Sequence, residues 1–345
     1  DAGGNIWIAT AQKGLYRLKP QVYETHPLAW ALSLQKNKAN FPEGMDYWKN
    51  DDPRALSNSF GFITSNTAAD TLWLAGQRGL HYFSVATETF HQFMLRGQQL
   101  RYLNVVPFHS LYIDADNHLW AGSADNGLLR INLNDTEQIN YLNANQDNAH
   151  ELKSNVIREI MGSRSGLIWI CTKFGGLHYY DKRQNTFPLM KKQQNGDKGL
   201  SENFVLSVLE DSRKNIWIGT KSGGLNLCRS EKGDFDSFGL DQGTGGLRSN
   251  RIECLAEGPR GLLWAGTANG VWTTELDGPP QFTRRLNLYV RNFFVEDSAW
   301  LWMGTSNGLY RYSLKKMEPA PLPTRHKSFF DTESNIGITR VLKDP

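Results

Sequence analysis

The sequence predicts an all-β fold, a seven-bladed β-propeller of four-stranded antiparallel blades, and three observations carry that prediction. A tryptophan preceded by Ile or Leu recurs seven times, at Trp7, Trp73, Trp120, Trp169, Trp217, Trp264 and Trp302. Two residues after each stands Ala, Gly or Cys, and six or seven residues after it a glycine followed by Leu or Val, from Gly14 to Gly308. The successive Trp spacings are 66, 47, 49, 48, 47 and 38 residues, the period of propeller blades.

Each column has a physical reason. A blade is covered by neighbours on both faces, so its strands are apolar on both sides, and an indole is large enough to span the gap to the next blade. The small residue makes room where two sheets approach closely, which places Cys171 in a packing column and not in a reactive one. The glycines predict positive φ in the turn between the second and third strands.

In chain order, "NIWIAT" opens the first unit, and runs such as "SNVIREI" and "NFVLSVL" precede the Trp strand as innermost strands. After Gly-Leu come "HYY", "NLC", "LRI" or "YRY", and then apolar stubs such as "FHQF", "INYL" and "FDSF", which read as third and fourth strands. The blades fall at 57–93, 103–142, 154–190, 202–238, 249–286 and 287–318, with the first made of 5–30 and 335–344. The first unit lacks an innermost strand and the C-terminal "SNIGITRVLKDP" has that form without a Trp unit after it, so the C-terminal strand is predicted to pair into the N-terminal blade. The register of that closure is left open. The long first interval holds an insertion at 22–46 within a single domain spanning 1–345, read as a loop over one face and a binding candidate.

The 345 residues are 39% hydrophobic with a net charge of +3, which argues against a disordered chain. The 38 basic and 35 acidic residues are intermixed, giving no nucleic-acid signal. No apolar run approaches the roughly 18 residues a membrane-spanning helix needs. The chain opens on Asp1, without a Met or a leader pattern, which predicts a piece of a longer protein. Three cysteines, Cys171, Cys228 and Cys254, form no C-x-x-C pair, so neither a disulfide framework nor a zinc site is indicated. No P-loop, G-x-S-x-G or H-E-x-x-H occurs, and the eight histidines are scattered along the units; no catalytic residue, metal or cofactor is assigned.

The pattern of an Asp, a short turn, Asn-Ile-Trp-Ile-Gly-Thr and Gly-Gly-Leu resembles the two-component regulator propeller repeat, with "SENFVLSVLEDSRKNIWIGTKSGGLNL" at 201–227 as the best copy. "YWKNDDPRALSNS" at 47–59 resembles that family's connector between blades. Gly76, standing where Thr is usual, and the unequal first and last intervals depart from the pattern. The resemblance covers essentially the whole chain. It implies a periplasmic or extracytoplasmic sensor domain, non-catalytic itself, in a protein anchored in the inner membrane. The output implied is a histidine kinase, often hybrid, with phosphorelay, or in some members a diguanylate cyclase. Implied partners are an oligosaccharide or other small ligand, a neighbouring propeller and a homodimer mate.

Propellers bind where innermost strands and the loops before them converge. Eleven residues before the Trp, that strand carries His109, Arg158, Leu206 and Glu253, with Arg291 after a shorter turn and Arg340 placed similarly in the closing strand. Charged side chains in such strands need water or partners. Inter-blade ion pairing, for example of Arg158 near Glu253, is the alternative use of this column. The turn after the Trp strand adds Lys13, Arg78, Lys173 and Lys221, solvated turn residues or contacts to an anionic ligand. Trp48 lies outside the repeated column, as do Trp30, Trp272 and Trp300, and could stack on a sugar. Rival readings are a propeller enzyme resembling virginiamycin B lyase, which the small residue-Thr after Trp argues against, and a scaffold that dimerises signalling chains.

Overall fold

The structure is a computed structural model and describes residues 4–11, 14–20, 45–48, 59–66, 70–98, 100–144, 152–193, 199–228, 234–240, 246–306, 308–319 and 338–343. Among them, seven four-stranded antiparallel sheets are the blades of a seven-bladed β-propeller. Blade 1 pairs β1 (Ile6–Thr10), β2 (Leu15–Leu18) and β3 (Met45–Trp48) with the C-terminal β28 (Ile338–Lys343). Blade 2 is β4 (Phe60–Ser65), β5 (Thr71–Gly76), β6 (Leu80–Ser84) and β7 (Thr89–Phe93); blade 3 is β8 (Phe108–Ile113), β9 (His118–Ser123), β10 (Leu128–Asn132) and β11 (Ile139–Leu142). Blade 4 is β12 (Ile157–Gly162), β13 (Ile168–Thr172), β14 (Leu177–Tyr180) and β15 (Leu189–Met190); blade 5 is β16 (Val205–Glu210), β17 (Ile216–Thr220), β18 (Leu225–Cys228) and β19 (Phe235–Phe238). Blade 6 is β20 (Ile252–Gly258), β21 (Leu262–Thr267), β22 (Gly270–Glu275) and β23 (Thr283–Leu286); blade 7 is β24 (Val290–Val295), β25 (Trp300–Thr305), β26 (Gly308–Ser313) and β27 (Glu318–Pro319). The chain divides into two compact units, Asp1–Val105 with Arg291–Pro345, and Val106–Val290.

In the first unit, Trp302 of blade 7 packs against Ile6 and Ile8 of blade 1, and Trp7 of blade 1 against Leu72 and Leu74 of blade 2. In the second, Trp120 meets Ile168 and Ile170, Trp169 meets Ile216 and Ile218, and Trp217 meets Leu263 and Ala265. Each of these five indoles thus fills the gap to the following blade, a burial that contributes on the order of 5 kcal/mol of transfer free energy. The small column works as expected: a Cβ on Gly219 would stand 2.9 Å from Ile252 of the next blade, closer than real contacts allow. Gly224 has φ +81°, and an added Cβ would strike the Phe238 carbonyl.

The repeat's Asp also has a defined task. Asp211 Oδ1 accepts the backbone N–H groups of Arg213 and Asn215, both at 2.9 Å, and Oδ2 accepts the Trp217 indole at 2.8 Å. Asp114 repeats this with Trp120 at 2.9 Å; in blade 7 the task is split, Glu296 accepting the Trp302 indole at 2.8 Å while Asp297 accepts the N–H of Trp300 at 3.0 Å. In blade 4 the position is Ser163, and the Trp169 indole nitrogen has no hydrogen-bond partner among the described residues.

Closure follows the sequence, and its register is now defined: Ile6 faces Lys343, Trp7 faces Leu342, Ile8 faces Val341 and Ala9 faces Arg340, with a bulge before Thr10 meets Ile338. Two boundaries differ from expectation. Blade 1 does not end near residue 30, because its fourth strand is Met45–Trp48, where Asp46 stands opposite Arg17 and pairs with it at 2.6 Å. The end of the supposed insertion and the start of the supposed connector are therefore strand, and the long segment joins the third and fourth strands of one blade. Trp30, Lys13 and residues 22–44 lie outside the described residues.

His81 and His178 hold the same place in the third strands of blades 2 and 4 and are fully buried. His178 Nε2 accepts the Lys153 backbone N–H at 3.3 Å, as Asn226 Oδ1 accepts that of Ser201 at 2.9 Å one blade later. Burial pushes both imidazoles down to about 4, against about 6.5 in the unfolded chain. Between those values the unfolded state binds protons that the fold refuses, so stability is fully present above pH about 6.5 and falls toward pH about 4, by about 3 kcal/mol per histidine. Urea midpoints measured across this window should show that slope, and His178→Asn should remove roughly half of it. In the same assay Asp211→Ala, which strips a buried indole N–H and two backbone donors of their acceptor, should cost about 3 kcal/mol, and Asp211→Asn distinctly less.

Candidate functional site

At one end of the sheet in blades 2 to 6, the turn between the second and third strands docks on the residue that leads into the first strand. Lys173 N–H donates to the Val156 carbonyl and Lys221 N–H to that of Phe204, both at 3.0 Å; Ala124 with Pro107 and Ala268 with Arg251 repeat the bond. The Thr that opens the turn closes it: Thr172 and Thr220 Oγ1 donate to the carbonyls of Gly176 and Gly224 at 2.7 Å. This backbone frame leaves the middle residues of the turn free of structural duty.

Where blade 4 meets blade 5, those residues assemble a platform. Phe174, in the turn, is 68% exposed and holds φ +67°, a conformation that costs a non-glycine residue about 1–2 kcal/mol. Its ring meets that of Phe204 edge to face, with centroids 5.1 Å apart. The Lys173 ammonium lies 5.2 Å from the Phe174 ring and 5.8 Å from Phe204, and Lys221 lies 4.9 Å from Phe204 on the neighbouring turn. Neither lysine has an ion-pair partner among the described residues. The nearby Glu202 carboxylate is engaged by Ser222 Oγ at 2.6 Å and by the N–H of Gly223 at 3.1 Å. The platform therefore offers two cations and an aromatic surface to solvent.

The innermost-strand column has a cause that periodicity did not reveal. Pairing shifts by one residue between Phe108 and Ser110, Ile157 and Glu159, Val205 and Ser207, and Ile252 and Cys254. His109, Arg158, Leu206 and Glu253 are thus the extra residues of four β-bulges, which re-aim a side chain away from the ladder. The residue after the bulge reaches the next sheet: Ser110 Oγ accepts the Ile160 N–H at 2.9 Å, and Glu159 accepts that of Val208 at 3.0 Å.

Of the predicted residues, His109 and Arg158 are brought together. Burial lowers the His109 pKa, and the Arg158 charge lowers it further. Glu253 is held by its own blade, paired with Arg251 and accepting the Tyr289 hydroxyl at 2.7 Å; the alternative pairing with Arg158 does not form. Arg291, in the other unit, is exposed. Arg340 stands one residue past its column, because the bulge of the closing strand is Thr339; its guanidinium lies 4.1 Å from the Phe62 ring. Trp48 packs on Trp7 and Phe83 at 5.5 and 5.0 Å, with the Arg17 guanidinium 4.9 Å from its ring. Phe174 and Phe204 were missed, although an aromatic in a turn column filled elsewhere by polar or charged residues was a usable signal.

At the opposite end, Asp114, Asp116 and His118 converge, and Lys182 sits among them, 3.4 Å from Asp114 and hydrogen-bonded to Asp116. Burial opposes the Lys182 charge, but the hydrogen bond to Asp116 and the two carboxylates outweigh it and raise its pKa. Lys182 thus occupies the space between the two carboxylates where a cation would sit.

The family model described as two component regulator propeller matches residues 199–222, the segment that leads into and forms the first hairpin of blade 5, so the repeat is of that kind. No curated protein matches the chain. Among solved structures, the chain is similar to the extracellular domain of BT4673 from B. thetaiotaomicron, described as a one component and also as a hybrid two component system, at 18% identity and a TM-score of 0.62. The match covers 95% of this chain and 44% of that one, so the chain spans under half of that domain. It is also similar to PorZ, a surface component of the type-IX secretion system of Porphyromonas gingivalis, at 14% identity and TM-score 0.59, over 91% of this chain and 46% of that one. Virginiamycin B lyase from Staphylococcus aureus, in a catalytically inactive form with quinupristin, matches at 15% identity and TM-score 0.54, over 76% and 84%. At these identities the likenesses establish the fold.

The strain at Phe174 and its ring contact are of similar size, about 1 kcal/mol each. Phe174→Gly should therefore leave the urea midpoint within about 1 kcal/mol of the parent, whereas a loss of several would make the ring a structural element.

Proposed function

We propose that this chain is the ligand-sensing propeller of a membrane-anchored, extracytoplasmic two-component signalling protein, and that it binds an anionic oligosaccharide fragment on the platform of Lys173, Phe174, Phe204 and Lys221. The observation that carries the reading is a solvent-facing aromatic pair flanked by two uncompensated ammonium groups, built on a turn held in a strained conformation. Aromatic faces suit the C–H side of a sugar ring, and the lysines suit its carboxylate or sulfate groups. Strain maintained at an exposed position marks a place kept for binding.

The family match and the likeness to the extracellular domain of BT4673 support the signalling context. Sensing requires only that the ligand favour one of two states of the receptor; proton transfer and bond cleavage are the business of an output module elsewhere, a kinase or a cyclase. A neighbouring propeller and a second copy of the protein are the surfaces through which occupancy would be read. Arg158, Arg291 and Arg340 are assigned a supporting electrostatic role, drawing anions toward the innermost strands, and His109, kept neutral by burial and Arg158, offers a hydrogen-bonding ring nitrogen.

Calorimetric titration with a panel of sulfated, uronate-containing and neutral oligosaccharides tests the reading. An anionic member should bind, weaken with added salt, and lose about tenfold or more in affinity in Lys173→Ala/Lys221→Ala and in Phe174→Ala, with unfolding midpoints unchanged. Binding that ignores these substitutions, or no binding across the panel, overturns it.

A further inference from the structure

Three blades place an arginine opposite the repeated Trp, in the third strand: Arg17 faces Trp7, Arg130 faces Trp120 and Arg311 faces Trp302. Each guanidinium lies near an indole face, at 5.4, 5.3 and 5.0 Å respectively. Two of them are neutralised by the protein. Arg17 binds Asp46, its neighbour on the fourth strand, at 2.6 Å and Glu88 of the next blade at 2.9 Å; Arg311 binds Glu296 at 3.0 Å.

Arg130 occupies a copy of the Arg17 site from which both carboxylates have been removed. Its neighbour on the fourth strand is Asn140, where Arg17 has Asp46. In the turn of the next blade stands Asn185, with φ +51°, where the Arg17 site has Glu88, with φ +52°. The guanidinium makes only long contacts, 3.4 Å to the Tyr180 hydroxyl and 3.4 Å to the His118 ring, and its shielded Nε has no partner among the described residues. Asp114, which lies behind His118, is spent on the Trp120 indole, two backbone N–H groups and Lys182. Between these groups lies a cleft of about 340 Å³ lined by Arg130, Asn140, Asn185, Tyr141, Tyr180 and Phe187.

We infer that this cleft is a second ligand site, distinct from the turn platform, and that it takes a small sugar acid whose carboxylate replaces the missing Asp and Glu. A guanidinium matches a carboxylate through paired N–H donors. The two amides supply donors and acceptors for hydroxyl groups, the aromatic walls supply a surface for the ring, and the volume suits a ligand of monosaccharide size. A cationic side chain desolvated by an indole is costly to leave unpaired, which is the free energy that a bound carboxylate would recover.

Titration of D-glucuronate, followed by tryptophan fluorescence and by NMR, tests this in a Lys173→Ala/Lys221→Ala background, so that the platform adds nothing. Saturable binding is expected, with D-glucose and inorganic sulfate each weaker by about tenfold or more. Asn140→Asp, which restores the internal carboxylate as in the Arg17 site, should abolish binding while keeping or raising the melting temperature; Arg130→Gln should also abolish it. Absence of glucuronate binding, equal binding of sulfate, or full binding by folded Asn140→Asp overturns the assignment.

Discussion

The structure depends on the indole that the Trp strand of blades 1, 3, 4, 5 and 7 sends into the space between its own sheet and the next. A blade cannot stand alone, because both faces of its sheet are apolar; it becomes stable when a neighbour covers it. The Trp makes that cover specific, since its volume fills one gap and its N–H must find an acceptor. In blades 3, 5 and 7 the acceptor is a buried carboxylate six residues earlier, and in blades 3 and 5 that carboxylate also closes the turn between the first two strands. One acidic residue therefore sets turn geometry and sheet-to-sheet packing together, and the small residue two places after the Trp lets the next sheet approach.

With packing assigned to these columns, other positions are released. The bulge in six innermost strands lifts one residue out of the ladder, and its identity differs from blade to blade: His109, Arg158, Leu206 and Glu253 in one unit, Gly61 and Thr339 in the other. The middle of the turn after the Trp strand is equally unconstrained, because backbone bonds and a threonine hydroxyl hold it. Function can vary at such places without disturbing the sheets, which is why strain at Phe174 is tolerable.

What could be read from the sequence divides along the same line. The Trp, small-residue and glycine columns were legible because each reflects a constraint repeated in every blade, and the closing strand because it lacked a partner in its own unit. The fourth strand at Met45–Trp48 was hidden by a long segment that breaks the period. Arg340 was placed one residue off because the closing strand is followed by no Trp from which its bulge could be counted. Trp48 looked available for a ligand when judged by position alone, whereas its neighbours Trp7 and Phe83 come from other strands. The Phe174–Phe204 pair, and the emptied copy of the Arg17 site around Arg130, exist only between blades and have no linear spacing.

The closing strand imposes an order on folding. Residues of β1 meet partners about 330 positions later in the chain, so the first blade stays one strand short until the last described segment has left the ribosome. Until then β1 presents an unpaired edge carrying Ile6 and Ile8 with no cover from blade 7. Pairing over so long a separation is slow, and an open apolar edge invites association with other chains meanwhile. The interval before that strand arrives is therefore the stage of synthesis at which the first blade is open to wrong partners.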